Sequence, residues 1–160
     1  MKGKKPSPEI ALLLRLLDDA YDQTAWHGPN LRGSLRGMSA KAAAWRPARG
    51  RHNTWELAVH AAYWKYAVAR RLTGEKRGSF PLKGSNWFRR PETKGDQKAW
   101  REDLALLDRQ HRRLRETIAT LSSRRLPANL RMISGVAAHD LYHAGQIRLL
   151  KVLQRDRRGR

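Results

Sequence analysis

Apolar side chains return at alternating steps of three and four along four separate stretches of this 160-residue chain, and no stretch reads as a strand. Ile10, Leu13, Leu14, Leu17 and Tyr21 form the first stripe, and Leu57, His60, Ala61, Trp64 and Val68 the second. Trp100, Leu104, Leu107, His111, Leu114, Ile118 and Leu121 form the third; Ile133, Val136, His139, Asp140, His143, Ile147 and Leu150 form the fourth. A helix with one apolar face must bury it against another, so four such faces in one chain of this size predict an all-α four-helix bundle. The connections give the order. The stretch 73–95 has no period and is long enough to let helices two and three run parallel, whereas the short connector "SSRRLPAN" makes helices three and four antiparallel neighbours. An up-down-down-up bundle with a long crossover between helices two and three is the expectation.

Local signals set the boundaries. Ser7 before Pro8 reads as a helix start, a capping hydroxyl followed by a residue whose missing N–H costs nothing at the first position. Asn53 with Glu56 three residues on reads as a capping box opening helix two, which runs to about Leu72. Asp96 opens helix three, and helix four spans about Arg131 to Leu153. Gly28, Pro29, Gly33 and Gly37 break the period between helices one and two, with a short helical piece, "SAKAAAW", from Ser39. The expectation is one domain, 7–154, between basic tails at 1–6 and 155–160.

There is no cysteine, which removes disulfides, thiolate nucleophiles and cysteine zinc sites, so any metal must be held by His, Asp or Glu. The apolar run after the basic start is broken at Arg15 and reads neither as a signal peptide nor as a bilayer span; a soluble, cytoplasmic protein is expected. The formal charge of +20 draws the chain toward polyanions by a field independent of sequence, which makes a basic bundle binding nucleic acid non-specifically the alternative reading. The positive residues are scattered over all four helices and both tails without a recognition motif, so no specific nucleic-acid partner is expected.

Polar residues on the inward stripes ask for an explanation. His139 and His143 are four apart, so one helix presents both rings on one face, and His60 holds the matching position on the second stripe. Each histidine alone is compatible with a core residue hydrogen-bonded to a carbonyl or carboxylate. Three converging rings are expensive to bury without partners, and a divalent cation satisfies all of them while leaving a coordination position open.

The segments "WELAVHAAYW" (55–64) and "GVAAHDLYHAGQIRLL" (135–150) resemble the two signature helices of the DinB/YfiT-like metalloenzymes. "AWHGPNL" and "AAAWRPARGRHNTW" add to the likeness, which covers residues 9–153. The resemblance implies an up-down-down-up bundle and a divalent metal held by His60, His139 and His143; three imidazoles accept zinc or nickel first, with iron or manganese as alternatives. It also implies a metal-dependent enzyme of thiol S-transferase or hydrolase type, acting on a small electrophile with a thiol or water nucleophile, and a homodimer. A low-molecular-weight thiol is the expected partner. An inactive metal-binding scaffold is the other outcome. Around the ligands, Asp140 is a candidate acceptor for a ligand's ring N–H, or else an inward carboxylate paired with an arginine. Gln146 is a candidate donor to metal-bound water or substrate, or an interhelical hydrogen bond. His27, in the Gly/Pro loop, is a candidate general base or fourth ligand, or a loop-stabilising residue. His111 is expected in the core, His52 at the surface, and Tyr142 in packing away from the site.

Overall fold

The computed structural model describes residues 6–91 and 96–158, and these are all-helical, with no strand among them. Part of each terminal tail, residues 1–5 and 159–160, lies outside them. Helix α1 spans Pro8–Tyr21; the Ser7 hydroxyl accepts the Ile10 N–H at 3.4 Å. The loop that follows contains a short helix absent from the sequence reading, α2, Leu31–Leu35. Its cap is Asn30, whose side-chain oxygen accepts the Gly33 N–H at 2.7 Å while its amide donates to the Gln23 carbonyl. A Cβ at Gly33 would lie 2.8 Å from that oxygen, so a glycine that looks like a helix breaker is what lets this cap close. Helix α3, Ala40–Ala43, is capped by Ser39.

Helix α4, Thr54–Thr73, opens with the Asn53–Glu56 capping box and ends at Gly74, whose φ of 79° suits a residue without Cβ. Every side chain from Thr54 to Ala62 is buried, so this helix is enclosed on all sides at its start rather than amphipathic. Helix α5, Gln97–Ala119, starts at the Asp96 cap. A single 3-10 turn, Ser123–Arg125, leads into α6, Leu126–Arg158. That corrects both predicted ends of the fourth helix. Pro127 falls in the first turn, where backbone N–H groups have no intrahelical partner, so it starts the helix earlier than Arg131 instead of blocking it. At the other end the helix continues through Arg158 into the segment read as a tail, with Lys151 donating to the Arg36 carbonyl and Gln154 to that of Ala42.

Helix α4 packs on α5 and α6, and α1 packs on the same two. The core divides into two apolar clusters. One holds Trp55, Leu31, Leu35, Trp100, Leu107 and Ile147, the other Leu13, Leu17, Val68, Leu72, Leu114, Ile118, Ile133 and Val136. In chain order on α4, α5 and α6, the stretches between the clusters carry the buried polar side chains Lys65, His111, Asp140 and His143, with His139 half-buried, among small and aromatic neighbours such as Ala67, Tyr66 and Ala144. The crossover returns against the core, where Phe80 lies ring to ring 5.4 Å from Tyr63 and 5.3 Å from Tyr66, and the buried Phe88 lies 5.6 Å from Tyr63. No helix is long and apolar enough to cross a membrane among the described residues.

Candidate metal centre

Helix α4 contributes His60, from between Val59 and Ala61 of the first cluster, and α6 contributes His139 and His143 one turn apart. The His139 Nε2 lies 3.0 Å from the Nε2 of His60 and 3.0 Å from that of His143, and the three ligand-capable nitrogens all lie within 4.8 Å of one another. His60 and His143 are buried and His139 is half-buried.

The outer nitrogens decide what the inner ones are. His60 Nδ1 stands 2.8 Å from the backbone carbonyl of Asn86, and His143 Nδ1 stands 2.6 Å from the Gln146 side-chain oxygen. A carbonyl oxygen only accepts, so each Nδ1 carries the proton and each Nε2 presents a lone pair to His139. His139 has at most one proton to place between two such lone pairs, and its own Nδ1 is buried without a partner. With neutral rings, at least one inward lone pair is unmatched or shares a donor. A cation at the point where the three Nε2 atoms meet matches them all, so the donor set fits a divalent metal of the kind imidazole binds.

Residues 23–147 match the DinB superfamily. The chain belongs to the DinB superfamily. No curated protein and no solved structure matches it. The match takes in all three imidazoles of this DinB domain, and also the crossover that supports them.

Trp87 in the crossover stacks on His60, centroids 3.8 Å apart and planes within 8°, stacks again on His52 at 3.6 Å, and stands edge-on to His143 at 6.4 Å. His52 is therefore half-exposed but not idle, since it also meets the Glu56 carboxylate at 3.0 Å. Asn86 holds a left-handed backbone, φ 65°, which turns its carbonyl toward His60 while its side-chain oxygen accepts the Trp64 indole N–H at 3.0 Å. Asn86, Trp87 and Lys65 are not among the residues that the sequence pattern singles out. The first two sit in a stretch without period, where spacing carries no information. Lys65 did leave a signal, standing four residues after Ala61 and three before Val68 on the inward stripe of α4.

Among the described residues Asp140 meets neither an imidazole nor an arginine; its Oδ2 pairs with Lys65, and both side chains are completely buried. Gln146 bonds a ligand ring, the supporting position considered for Asp140, and donates to the Tyr142 hydroxyl at 3.1 Å, so Tyr142 joins the site's periphery. His27 is exposed in the loop closed by the Ala25–Gly28 bridge and is not among the clustered donors. His111 is buried, stacked on Tyr21 at 3.7 Å, with its Nε2 3.7 Å from an Asp18 oxygen.

Burial holds these imidazoles neutral. It lowers His60 to about 4 and His139 to about 3, with neighbouring histidines adding to the effect on His139, and it lowers His143 as well. The same cause brings His111 to about 3. Folded-state values below the unfolded 6.5 mean that the unfolded chain takes up protons first. Stability is thus fully present above 6.5 and lost as the pH falls toward about 4. Urea midpoints of the metal-free protein are expected to drop between pH 7 and pH 5, and to drop less in a His60→Gln/His139→Gln variant. A variant whose midpoint drops as much as the parent's between the two pH values would contradict the buried, neutral triad.

Proposed function

We propose that this DinB-superfamily protein is a metal-dependent enzyme that directs a thiol or water nucleophile at a small electrophilic substrate, as a thiol S-transferase or hydrolase. The observation that carries the reading is the convergence of three imidazole Nε2 atoms, two with their outer nitrogens already committed to carbonyl oxygens. A divalent cation, zinc or nickel first and iron or manganese as alternatives, supplies the positive charge that makes a thiol or water nucleophilic near pH 7. The chain's residues do the positioning. Asn86 and Gln146 keep the protons of His60 and His143 on the far side of each ring, and Trp87 covers one face of His60 against water. His139, the least buried of the three, leaves the approach open on its side.

An up-down-down-up order belongs to the same reading. Trp55 meets Trp100 and Asp103 while Tyr66 meets Arg113, which supports α4 and α5 advancing together. His60 meets His139 while Leu72 meets Arg125, which supports α4 and α6 running opposed. A cytoplasmic homodimer using a low-molecular-weight thiol is the setting this reading expects.

The test compares turnover of a chromogenic aryl halide with and without a small thiol against hydrolysis of a nitrophenyl ester, using zinc- and nickel-loaded protein. Metal-dependent turnover that needs the thiol and disappears in His60→Ala supports the transferase form; thiol-independent ester hydrolysis supports the hydrolase form. Neither reaction in the loaded protein would contradict an enzyme of this type.

A further inference from the structure

Between α4 and α6 a groove of roughly 260 Å³ ends at His139. Its walls are apolar, formed mainly by Val68, Met132 and Val136 beside the Trp64 ring, and its other end carries two guanidinium groups, Arg71 and Arg131. Arg71 lies 5.8 Å from the centre of the Trp64 ring, and neither arginine pairs with a carboxylate among the described residues. Arg131 and His139 are eight helical steps apart on α6, about 12 Å along the axis at a rise of ~1.5 Å per residue.

A groove that is apolar along its length, cationic at one end and bounded by a metal-ligand candidate at the other selects for a particular shape of molecule. We propose that it binds the substrate, an amphiphilic carboxylate whose anionic end pairs with Arg71 and Arg131 and whose apolar body lies along Val68 and Val136, with its far end at His139. The identity of that far end as the reacting one rests on the metal-dependent function proposed above; binding of the anion in the groove does not. Guanidinium suits this role because it forms paired hydrogen bonds to a carboxylate while its planar face rests on an aromatic ring.

Gly135 provides the decisive variant. It lines the groove on α6, and a Cβ built there has no heavy atom within 4 Å. Gly135→Met therefore starts from an unhindered Cβ and carries a flexible side chain toward the groove, and it replaces a poor helix former by a good one, so loss of folding does not confuse the result. The experiment is calorimetric titration of the full-length protein, zinc-loaded and zinc-free, with decanoate and with decanol. Decanoate is expected to bind one per chain and about tenfold or more tighter than decanol, the effect of a charge-assisted hydrogen bond. Arg71→Gln/Arg131→Gln is expected to erase that preference, and Gly135→Met to weaken decanoate binding by about tenfold or more with zinc uptake retained. Equal affinity for the two ligands, decanoate bound at many sites per chain, or a Gly135→Met variant that binds decanoate like the parent would overturn the proposal. A protein that takes up no zinc yet binds decanoate in this pattern keeps the groove and loses only the metal reading.

Discussion

Replacing Lys65 by methionine is expected to destabilise the protein by about 3–5 kcal/mol, the cost of leaving a buried charge without its partner. Lys65 and Asp140 are both fully buried, and the second carboxylate oxygen of Asp140 has no hydrogen-bond partner. Methionine roughly preserves the volume, so the loss reports charge rather than a cavity. Against a total of ~5–15 kcal/mol for a domain of this kind, it is a large fraction. The Lys65→Met/Asp140→Leu double variant is expected to regain most of the loss, because removing both ions also removes the desolvation of each. Acid gives a second handle. Burial already raises Asp140 to about 6, and loss of the lysine takes away the neighbour that opposes the rise. A group raised in the folded state contributes stability that is present at low pH and lost as the pH rises, so the gap between Lys65→Met and parent narrows from pH 7 to pH 5. Urea denaturation of the three proteins at both pH values checks this; a single variant within about 1 kcal/mol of the parent at pH 7 would contradict a buried pair in which each ion depends on the other.

The second large effect is on metal affinity. His139 is the middle donor, its Nε2 3.0 Å from each of the others, so His139→Ala removes the ring through which the set closes. Zinc affinity by competition with a chelator is expected to fall at least about a thousandfold, beyond the ~10–100-fold that a supporting hydrogen bond is worth. Gln146→Leu frees the His143 ring without removing a ligand, and is expected to fall within that smaller range. His27→Ala, altering an exposed loop residue, is expected to leave zinc affinity unchanged. An order in which Gln146→Leu costs more than His139→Ala would contradict the assignment of ligand and support.

What was legible in the sequence follows from what repeats. Helical stripes carry their own period, so the long helices, the Ser7 and Asn53 caps and the inward positions of His60, His139 and His143 were readable from spacing and side-chain chemistry. Helix ends were less so, because Pro127 signals both a break and a first turn and only the tertiary contacts tell them apart. Helix α2 was hidden by Gly33, whose missing Cβ serves the Asn30 cap. The loop contributions of Asn86 and Trp87 depend on where the crossover comes back onto α4, a long-range event that no local pattern records. Asp140 was read as inward correctly, but its partner came from another helix: a lysine on α4 rather than an arginine or an imidazole.

X-ray absorption at the zinc edge of the loaded, dialysed protein tests the central claim most directly. The account predicts one zinc per chain with three imidazole nitrogens at about 2.0–2.1 Å. Zinc lost on dialysis, or retained with one imidazole or none, would contradict it.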